Sequence, residues 1–193
     1  MGRPFPLPKA YMKHVMIDCE TLATTADAVI MSLGAVKFNM NGELDPEGFY
    51  ASISIDSNLD LGRRVTESTL RWWMKQSPEA QAVFDEPKET LESALSSFSQ
   101  WLGHNKRFVW SKGADFDIPL LAHAYTEFGM EIPWEFWNAR CVRTLLKLPH
   151  ADAVTPPPNE LKHNALADAL VQAKHVQLVM QHLNGLVPKK VSA

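Results

Sequence analysis

Three β-rich runs early in the chain, joined by short connections, constrain the fold more than any other feature of the sequence. The runs cover residues 11–20, 28–38 and 48–55, and the second of them reads AVIMSLGAVKF. Between the second and third runs, Asn41-Gly42 and Asp45-Pro46 are turn signals. Because short turns join antiparallel neighbours, we expect a three-stranded antiparallel meander.

Beyond residue 65 the apolar residues recur at helical spacing, interrupted by two short β-rich segments. Thr66 is a candidate N-cap for a helix that ends near residue 76, and Ser77-Pro78 begins a second helix. The remaining predicted elements are a helix over 89–102, a strand over 107–110, a helix over 117–128, a strand within 137–141 and helices over 142–148 and 164–183. This order predicts an α/β fold in which helices flank a mixed five-stranded sheet.

Length and composition favour a single intracellular domain. The chain has 193 residues and a net charge of −3, which disfavours a protein that grips long nucleic acid through bulk positive charge. We expect a flexible lead over residues 1–10, one domain over 11–185 and a tail over 186–193. No apolar run approaches a membrane span, so we expect a cytoplasmic protein. Cys19 and Cys141 have no zinc-site or disulfide spacing and are expected to be reduced thiols.

Two carboxylates end the first predicted strand. Asp18 and Glu20 are two residues apart, so both side chains face the same side of a strand while Cys19 faces the other. Adjacent carboxylates repel each other unless a cation lies between them, and Mg²⁺ and Mn²⁺ prefer such oxygen ligands. Two exposed acids at a strand end are also common, so the pair alone does not establish a metal site.

Three more candidates follow later in the chain. Asp117 stands where a helix is predicted to begin, and a carboxylate there can also be a simple cap. His163 precedes the last helix and Asp168 lies in its first turns, and a separation of five residues does not place both on one helical face. A histidine of near-neutral pKa can accept a proton from water at pH 7, although a capping His and a solvated Asp remain alternatives.

Together these elements resemble the DEDD exonuclease superfamily, in the subgroup with a histidine five residues before the last aspartate. The matching segments are residues 15–21 (VMIDCET), 113–117 (GADFD) and 163–168 (HNALAD). The resemblance implies a ribonuclease H-like fold and 3′→5′ hydrolysis of single-stranded RNA or DNA to nucleoside 5′-monophosphates. It also implies two divalent metal ions, Mg²⁺ with Mn²⁺ able to substitute. The ligands would be Asp18, Glu20, Asp117 and Asp168, with His163 as the general base; Asp117 is preferred to Asp115 because Phe-Asp matches the motif.

A narrower resemblance links the chain to small stand-alone bacterial and phage exonucleases of the ribonuclease T type, including exodeoxyribonuclease VIII-like proteins. It lies in residues 70–77 (LRWWMKQS) and in Arg143-Thr144-Leu145. These relatives suggest a homodimer. In the resembled superfamily the residues just after the glutamate contact the terminal nucleotide, which implies such contacts for Thr21 and Leu22.

The tryptophan pair adds candidates for substrate binding. Trp72 and Trp73 are adjacent on a predicted helix and cannot share one face, so at least one is expected in the core. We name Trp73 as a candidate for stacking on a base and Arg71 for a phosphate contact. The alternatives are a Trp in the core or at a dimer interface and an ordinary solvated Arg. At the level of the whole protein, the alternatives are a catalytically inactive nucleic-acid-binding module on the same fold and a hydrolase of very short oligonucleotides.

Overall fold

A mixed five-stranded sheet with the order β3-β2-β1-β4-β5 carries the fold. The computed structural model describes residues 11–45, 47–103 and 106–186, so the expected lead over 1–10 and all but the first residue of the expected tail lie outside the described residues. The strands are β1 (His14–Thr21), β2 (Ile30–Phe38), β3 (Phe49–Ser52), β4 (Phe108–Ser111) and β5 (Ala139–Cys141). Strands β1, β2 and β3 pair antiparallel, whereas β4 runs parallel to both β1 and β5. The predicted α/β fold and its antiparallel meander are confirmed.

Seven α-helices accompany the described strands, and two of them begin at the predicted caps. Their bounds are α1 Ile55–Leu59, α2 Glu67–Trp73, α3 Pro78–Gln81, α4 Leu91–Leu102, α5 Asp117–Glu127, α6 Val142–Leu145 and α7 Ala165–Leu186. Ser77 caps α3 by accepting a hydrogen bond from the Ala80 N–H. Thr66 precedes α2, but its side chain makes no capping hydrogen bond. Helix α1 was not predicted from the sequence. No helix in the described parts of the chain is long and apolar enough to cross a membrane.

The two faces of β1 pack against different layers. Val15, Ile17 and Cys19 belong to a core that contains residues of α4 and α5. Met16 belongs to a second core that contains the inward face of α7. The side-chain alternation expected for this strand is therefore confirmed, and it directs Asp18 and Glu20 toward the α7 side of the sheet. Both cysteines are free thiols, as expected.

Helix α7 begins in direct contact with the sheet at Gly34. This glycine lies on β2 opposite Asp18. A Cβ atom at position 34 would lie 2.2 Å from the Ala165 carbonyl carbon and from the Leu166 nitrogen. A residue without a side chain is therefore needed here, because the backbone of α7 occupies the space that a side chain would fill. This close approach places the start of α7 beside the carboxylates of β1.

Candidate active site

The carboxyl ends of the parallel strands β1 and β4 meet at one edge of the sheet. The segment after β4 leads into α5, whose first residue is Asp117. The buried Asp117 carboxylate accepts a hydrogen bond from the backbone N–H of Cys19, with 3.2 Å between N and Oδ1. This bond ties Asp117 to the strand between Asp18 and Glu20. Three of the four predicted acids are thus brought together by strand ends and one helix start.

The fourth acid, Asp168, enters from the first turn of α7. Its Oδ2 accepts from the His163 backbone N–H at 2.8 Å, and its Oδ1 accepts from the Asn159 side-chain amide at 2.7 Å. Potential ligand atoms of Glu20, His163 and Asp168 all lie within 4.8 Å of one another. The four predicted metal ligands and the predicted general base therefore converge on one edge of the sheet, although their roles stay predictions.

The side chain of Gln172 holds Asp18 from the same helix. Its Nε2 donates to Asp18 Oδ1 at 2.8 Å. Gln172 lies one helical turn after Asp168, so both side chains are on the same face of α7. Sequence reasoning did not identify Gln172. The available signal was a polar residue on the inward face of a long helix, one turn after a predicted ligand.

The crowding of buried carboxylates raises their pKa values. Burial is the largest cause for Asp18, Glu20 and Asp117, and the charge of neighbouring carboxylates adds to it for Asp18 and Glu20. The pKa of Asp168 is also raised by burial, while its hydrogen bond from His163 opposes the shift. Within the described parts of the chain, none of the four forms a salt bridge. Positive charge close to these carboxylates would therefore favour their ionised forms.

His163 has an uncommon backbone conformation and an aromatic neighbour. Its φ is 64°, in the left-handed region that residues other than glycine rarely adopt. Its imidazole meets the Trp72 ring edge to face, with 4.8 Å between the ring centroids. Trp72, on α2, therefore limits where the imidazole can lie beside Glu20 and Asp168.

A cavity of about 420 Å³ opens beside the acids. Its volume falls within the range of small-ligand sites. The lining combines the end of β1, one face of α2 and the segment before α5: Cys19, Glu20, Thr21, Thr24, Ser68, Thr69, Trp72, Trp73 and Phe116. A ligand in this cavity would contact Glu20 directly and would lie against aromatic rings.

The structure corrects two of the predicted substrate contacts. Trp73 is only 2% exposed, and its Nε1–H donates to the Thr21 carbonyl oxygen at 2.9 Å, so it packs in the core rather than offering a stacking face. Leu22 is 2% exposed and packs in the same cluster as Trp73, so its side chain is not available for the predicted contact with the terminal nucleotide. Trp72, at 42% exposure, is the tryptophan that can reach a ligand.

The other two predicted contacts remain compatible with a substrate. Thr21 lines the cavity, and its hydroxyl donates to the Ala23 carbonyl oxygen at 2.7 Å, which leaves the hydroxyl oxygen as an acceptor. Arg71 is exposed on α2 and forms a salt bridge with Glu67, four residues earlier. Asp152 and Glu160, two further acids that precede α7, are both exposed.

Two basic residues near the acids were not identified as site residues from the sequence. The positive charge of Arg143 lowers the pKa of Asp117, and that of Lys112 lowers the pKa of Asp168, against the stronger effect of burial. The Arg143 guanidinium packs over Gly113, where a Cβ atom would lie 3.0 Å from its Nη1. Both side chains are exposed, so each can reach a phosphate as well as a carboxylate.

Comparison with known proteins gives one family. Residues 13–180 match the family model described as the 3′-5′ exoribonuclease Rv2179c-like domain. An exodeoxyribonuclease of Enterobacteria phage T4 is 31% identical to this chain, and the match covers 70% of this chain and 71% of the phage protein.

Solved structures of exonuclease I share the fold. The zinc-bound complex of E. coli exonuclease I with single-stranded DNA superposes with a TM-score of 0.67 at 12% identity, covering 89% of this chain and 41% of that chain. The complex of the E. coli enzyme with a dA16 oligonucleotide gives a TM-score of 0.65 at 12% identity, covering 87% and 40%. The chain thus spans about two fifths of exonuclease I. On the family match, it belongs to the Rv2179c-like family of 3′-5′ exonucleases, within the DEDD superfamily.

Proposed function

We propose that this protein removes nucleotides one at a time from the 3′ ends of single-stranded nucleic acid, with two divalent metal ions, and releases nucleoside 5′-monophosphates. The observation that carries the proposal is the convergence of four carboxylates and His163 beside a cavity with an exposed tryptophan. The four carboxylates have raised pKa values and, among the described residues, no salt-bridge partner. A cluster of this kind suits a cation site better than a structural ion pair.

The donor set fits divalent cations that prefer oxygen. Asp18, Glu20, Asp117 and Asp168 offer only carboxylate oxygens, which favour Mg²⁺ or Mn²⁺ over softer metals. Four negative charges would balance two such ions. When bound, the ions would supply charge stabilisation for the leaving 3′ oxygen and would lower the pKa of the attacking water.

His163 is suited to accept the proton of the attacking water. A ring nitrogen of His163 lies within 4.8 Å of carboxylate oxygens of both Glu20 and Asp168, so a water held near these oxygens is within its reach. The edge-to-face contact with Trp72 limits the rotation of the ring. The left-handed backbone conformation of His163 is strained, and the hydrogen bond from its backbone N–H to Asp168 offsets part of this strain.

The terminal nucleoside is proposed to occupy the cavity beside Glu20. Trp72 presents an exposed ring there, and a base of any identity can stack on such a surface. The Thr21 hydroxyl oxygen can accept a hydrogen bond from a sugar hydroxyl. Lys112 and Arg143 lie near the acids and are exposed, so we propose that they contact phosphates of the strand. Such contacts would let a protein of net charge −3 hold nucleic acid locally.

The comparisons favour single-stranded substrates, whereas the choice between DNA and RNA requires an experiment. The solved exonuclease I complexes contain single-stranded DNA, the phage relative is an exodeoxyribonuclease, and the family description names an exoribonuclease. We therefore propose single-stranded DNA, RNA or both as substrates. A homodimer and a cytoplasmic location stay predictions from the sequence.

The test is a gel assay on 5′-labelled DNA and RNA strands of one sequence, with Mg²⁺, Mn²⁺ or EDTA. We expect a ladder that shortens from the 3′ end and is lost with EDTA and in Asp168→Asn. The control Asp152→Asn changes an exposed acid outside the site and should retain activity. Release of the 5′ label as a mononucleotide without a ladder, which marks degradation from the 5′ end, or full activity in Asp168→Asn, would refute the proposal. Intact long strands with cleaved dinucleotides would instead indicate a hydrolase of very short oligonucleotides.

A further inference from the structure

Gln172 is a buried amide that contacts one of the proposed metal ligands without being one itself. The residue is 8% exposed, and its Nε2 donates to Asp18 Oδ1 at 2.8 Å. Asp168 precedes Gln172 by one helical turn, so one face of α7 carries the proposed ligand Asp168 and also holds the proposed ligand Asp18 through the Gln172 amide. Any displacement of this face would move both carboxylates together.

The second polar atom of this amide is unpaired. Gln172 Oε1 is buried and has no hydrogen-bond partner among the described residues. A buried carbonyl without a donor destabilises a folded protein, so an apolar side chain of equal length would suit this position better if packing were its only role. The retained amide therefore points to a use for its donor group.

That donor acts on a carboxylate with few other constraints. The described residues provide no hydrogen-bond donor to Asp18 other than the Gln172 amide, and the neighbouring charges of Asp117 and Glu20 repel its carboxylate. Without the amide, no hydrogen bond from the described residues would fix the rotation of the carboxylate about χ2. With it, Oδ1 is held toward α7, and the rotation of the whole carboxylate is restricted.

We infer that Gln172 is a positioning residue whose amide donor fixes the Asp18 carboxylate in the orientation that binds a divalent cation. The inference rests on the proposed function, in which Asp18 is a metal ligand. It predicts that the donor group of residue 172, and not merely its volume, determines metal affinity.

The same helix offers a matched control. Gln177 is 5% exposed, and its Nε2 donates to the backbone oxygens of Asn39 and Glu43 at 2.7 and 2.9 Å. In the described parts of the chain it forms no hydrogen bond with an acid of the site. Gln172→Met and Gln177→Met each remove one buried amide and keep an unbranched side chain of similar length. Mn²⁺ titration by calorimetry on the full chain, without substrate, then measures metal affinity independently of activity.

We expect Gln172→Met to weaken Mn²⁺ binding about 10- to 100-fold and to lower kcat at fixed Mn²⁺ with KM for the strand unchanged. Gln177→Met should bind Mn²⁺ as the wild type does. Gln172→Asn, which keeps the amide but withdraws it by one carbon, should also bind Mn²⁺ more weakly, and it serves if the Met variant does not fold. Wild-type Mn²⁺ affinity in a folded Gln172 variant, or equal losses in Gln172→Met and Gln177→Met, would overturn the inference. Failure of the wild type itself to bind Mn²⁺ would refute the proposed function instead.

Discussion

Replacing Gly34 with alanine should disable the active site without touching any acidic residue. The added Cβ atom would lie 2.2 Å from the Ala165 carbonyl carbon and 2.4 Å from its oxygen. An ordinary contact begins at 3.4 Å, so α7 and β2 would have to separate by about 1.2 Å at this point. The opposing atoms are backbone, so no side-chain rotation can relieve the overlap.

A separation of this size acts directly on the proposed chemistry. Asp168 lies three residues beyond Ala165 and His163 two residues before it, so both move when the start of α7 moves. A misplacement of about 1 Å in an active site can reduce catalysis about 100-fold. The overpacking should also lower the free energy of unfolding by about 1–3 kcal/mol. We therefore expect kcat/KM to fall about 100-fold and Mn²⁺ to bind more weakly.

The assay compares kcat/KM on a single-stranded oligonucleotide, Mn²⁺ affinity and Tm for Gly34→Ala and Gly185→Ala. Gly185 is in the same helix, and a Cβ atom there would meet nothing within 4 Å, so that substitution should be neutral or stabilising by up to about 1 kcal/mol. Adding Ala165→Gly to Gly34→Ala should restore nothing, because the clash is with backbone. A folded Gly34→Ala protein with wild-type kcat/KM and wild-type Mn²⁺ affinity would refute the reasoning.

Three further outcomes are expected. Trp72→Ala should weaken single-strand binding by about 1–3 kcal/mol and should also lower kcat, because the ring that offers a stacking face also contacts His163. Fluorescence-anisotropy titration measures the binding, and single-turnover kinetics measure the chemical step. Trp137 is an exposed tryptophan outside the cavity, so Trp137→Ala should change neither quantity. Burial and the nearby charge of Arg140 lower the pKa of His14 from 6.5 to about 4. The unfolded chain therefore protonates this imidazole at a higher pH than the folded chain does, so His14 should by itself lower the free energy of unfolding by about 1–2 kcal/mol as the pH drops from 6.5 to 4, once solvent screening of this half-buried ring is allowed for. The raised pKa values of the buried carboxylates act in the opposite direction in both proteins, so the test is the difference between urea titrations of the wild type and of His14→Phe across that range. Equal pH slopes in the two proteins would contradict the assignment. Finally, Mn²⁺ or Mg²⁺ in excess should raise Tm, because the ions bind only the folded arrangement of repelling carboxylates, and a thermal scan in which EDTA fails to reverse the rise would count against a metal site.

Short-range patterns accounted for most elements and for the shared face of Asp18 and Glu20, whereas the convergence of all four acids was implied only by the resemblance to a known family. The period of two in β1 placed Asp18 and Glu20 on one face, and the Ser77-Pro78 pair marked the start of α3. These features are determined by residues close together in the sequence, so they can be predicted from it. The short helix α1 was missed because it is held by Ser54, whose side chain accepts from the Ser57 N–H, and no apolar period marks so short a segment.

Features that depend on distant contacts were not predictable from sequence. Leu22 lies two residues after Glu20, and from the sequence we expected it to contact a substrate. Its backbone, however, pairs with Val29 and with Thr66, and its side chain points into the cluster that also contains Met31 and Trp73. Gln172 was missed for a similar reason, since only the packing of α7 on β1 brings its amide to a residue 154 positions earlier.

The rotation of α2 about its axis decides which residue of the Trp72-Trp73 pair faces the cavity, and the sequence does not predict this rotation. Consecutive helical residues point about 100° apart, so α2 must bury one ring and expose the other, and the sequence does not encode the rotation of the helix. The rotation is set by the bond from Trp73 Nε1–H to the Thr21 carbonyl oxygen, immediately after Glu20. Because this bond anchors α2 to the end of β1, it also brings Trp72 against His163. Trp73 therefore acts on the site through the position of α2, whereas Trp72 is the ring that a nucleotide can touch.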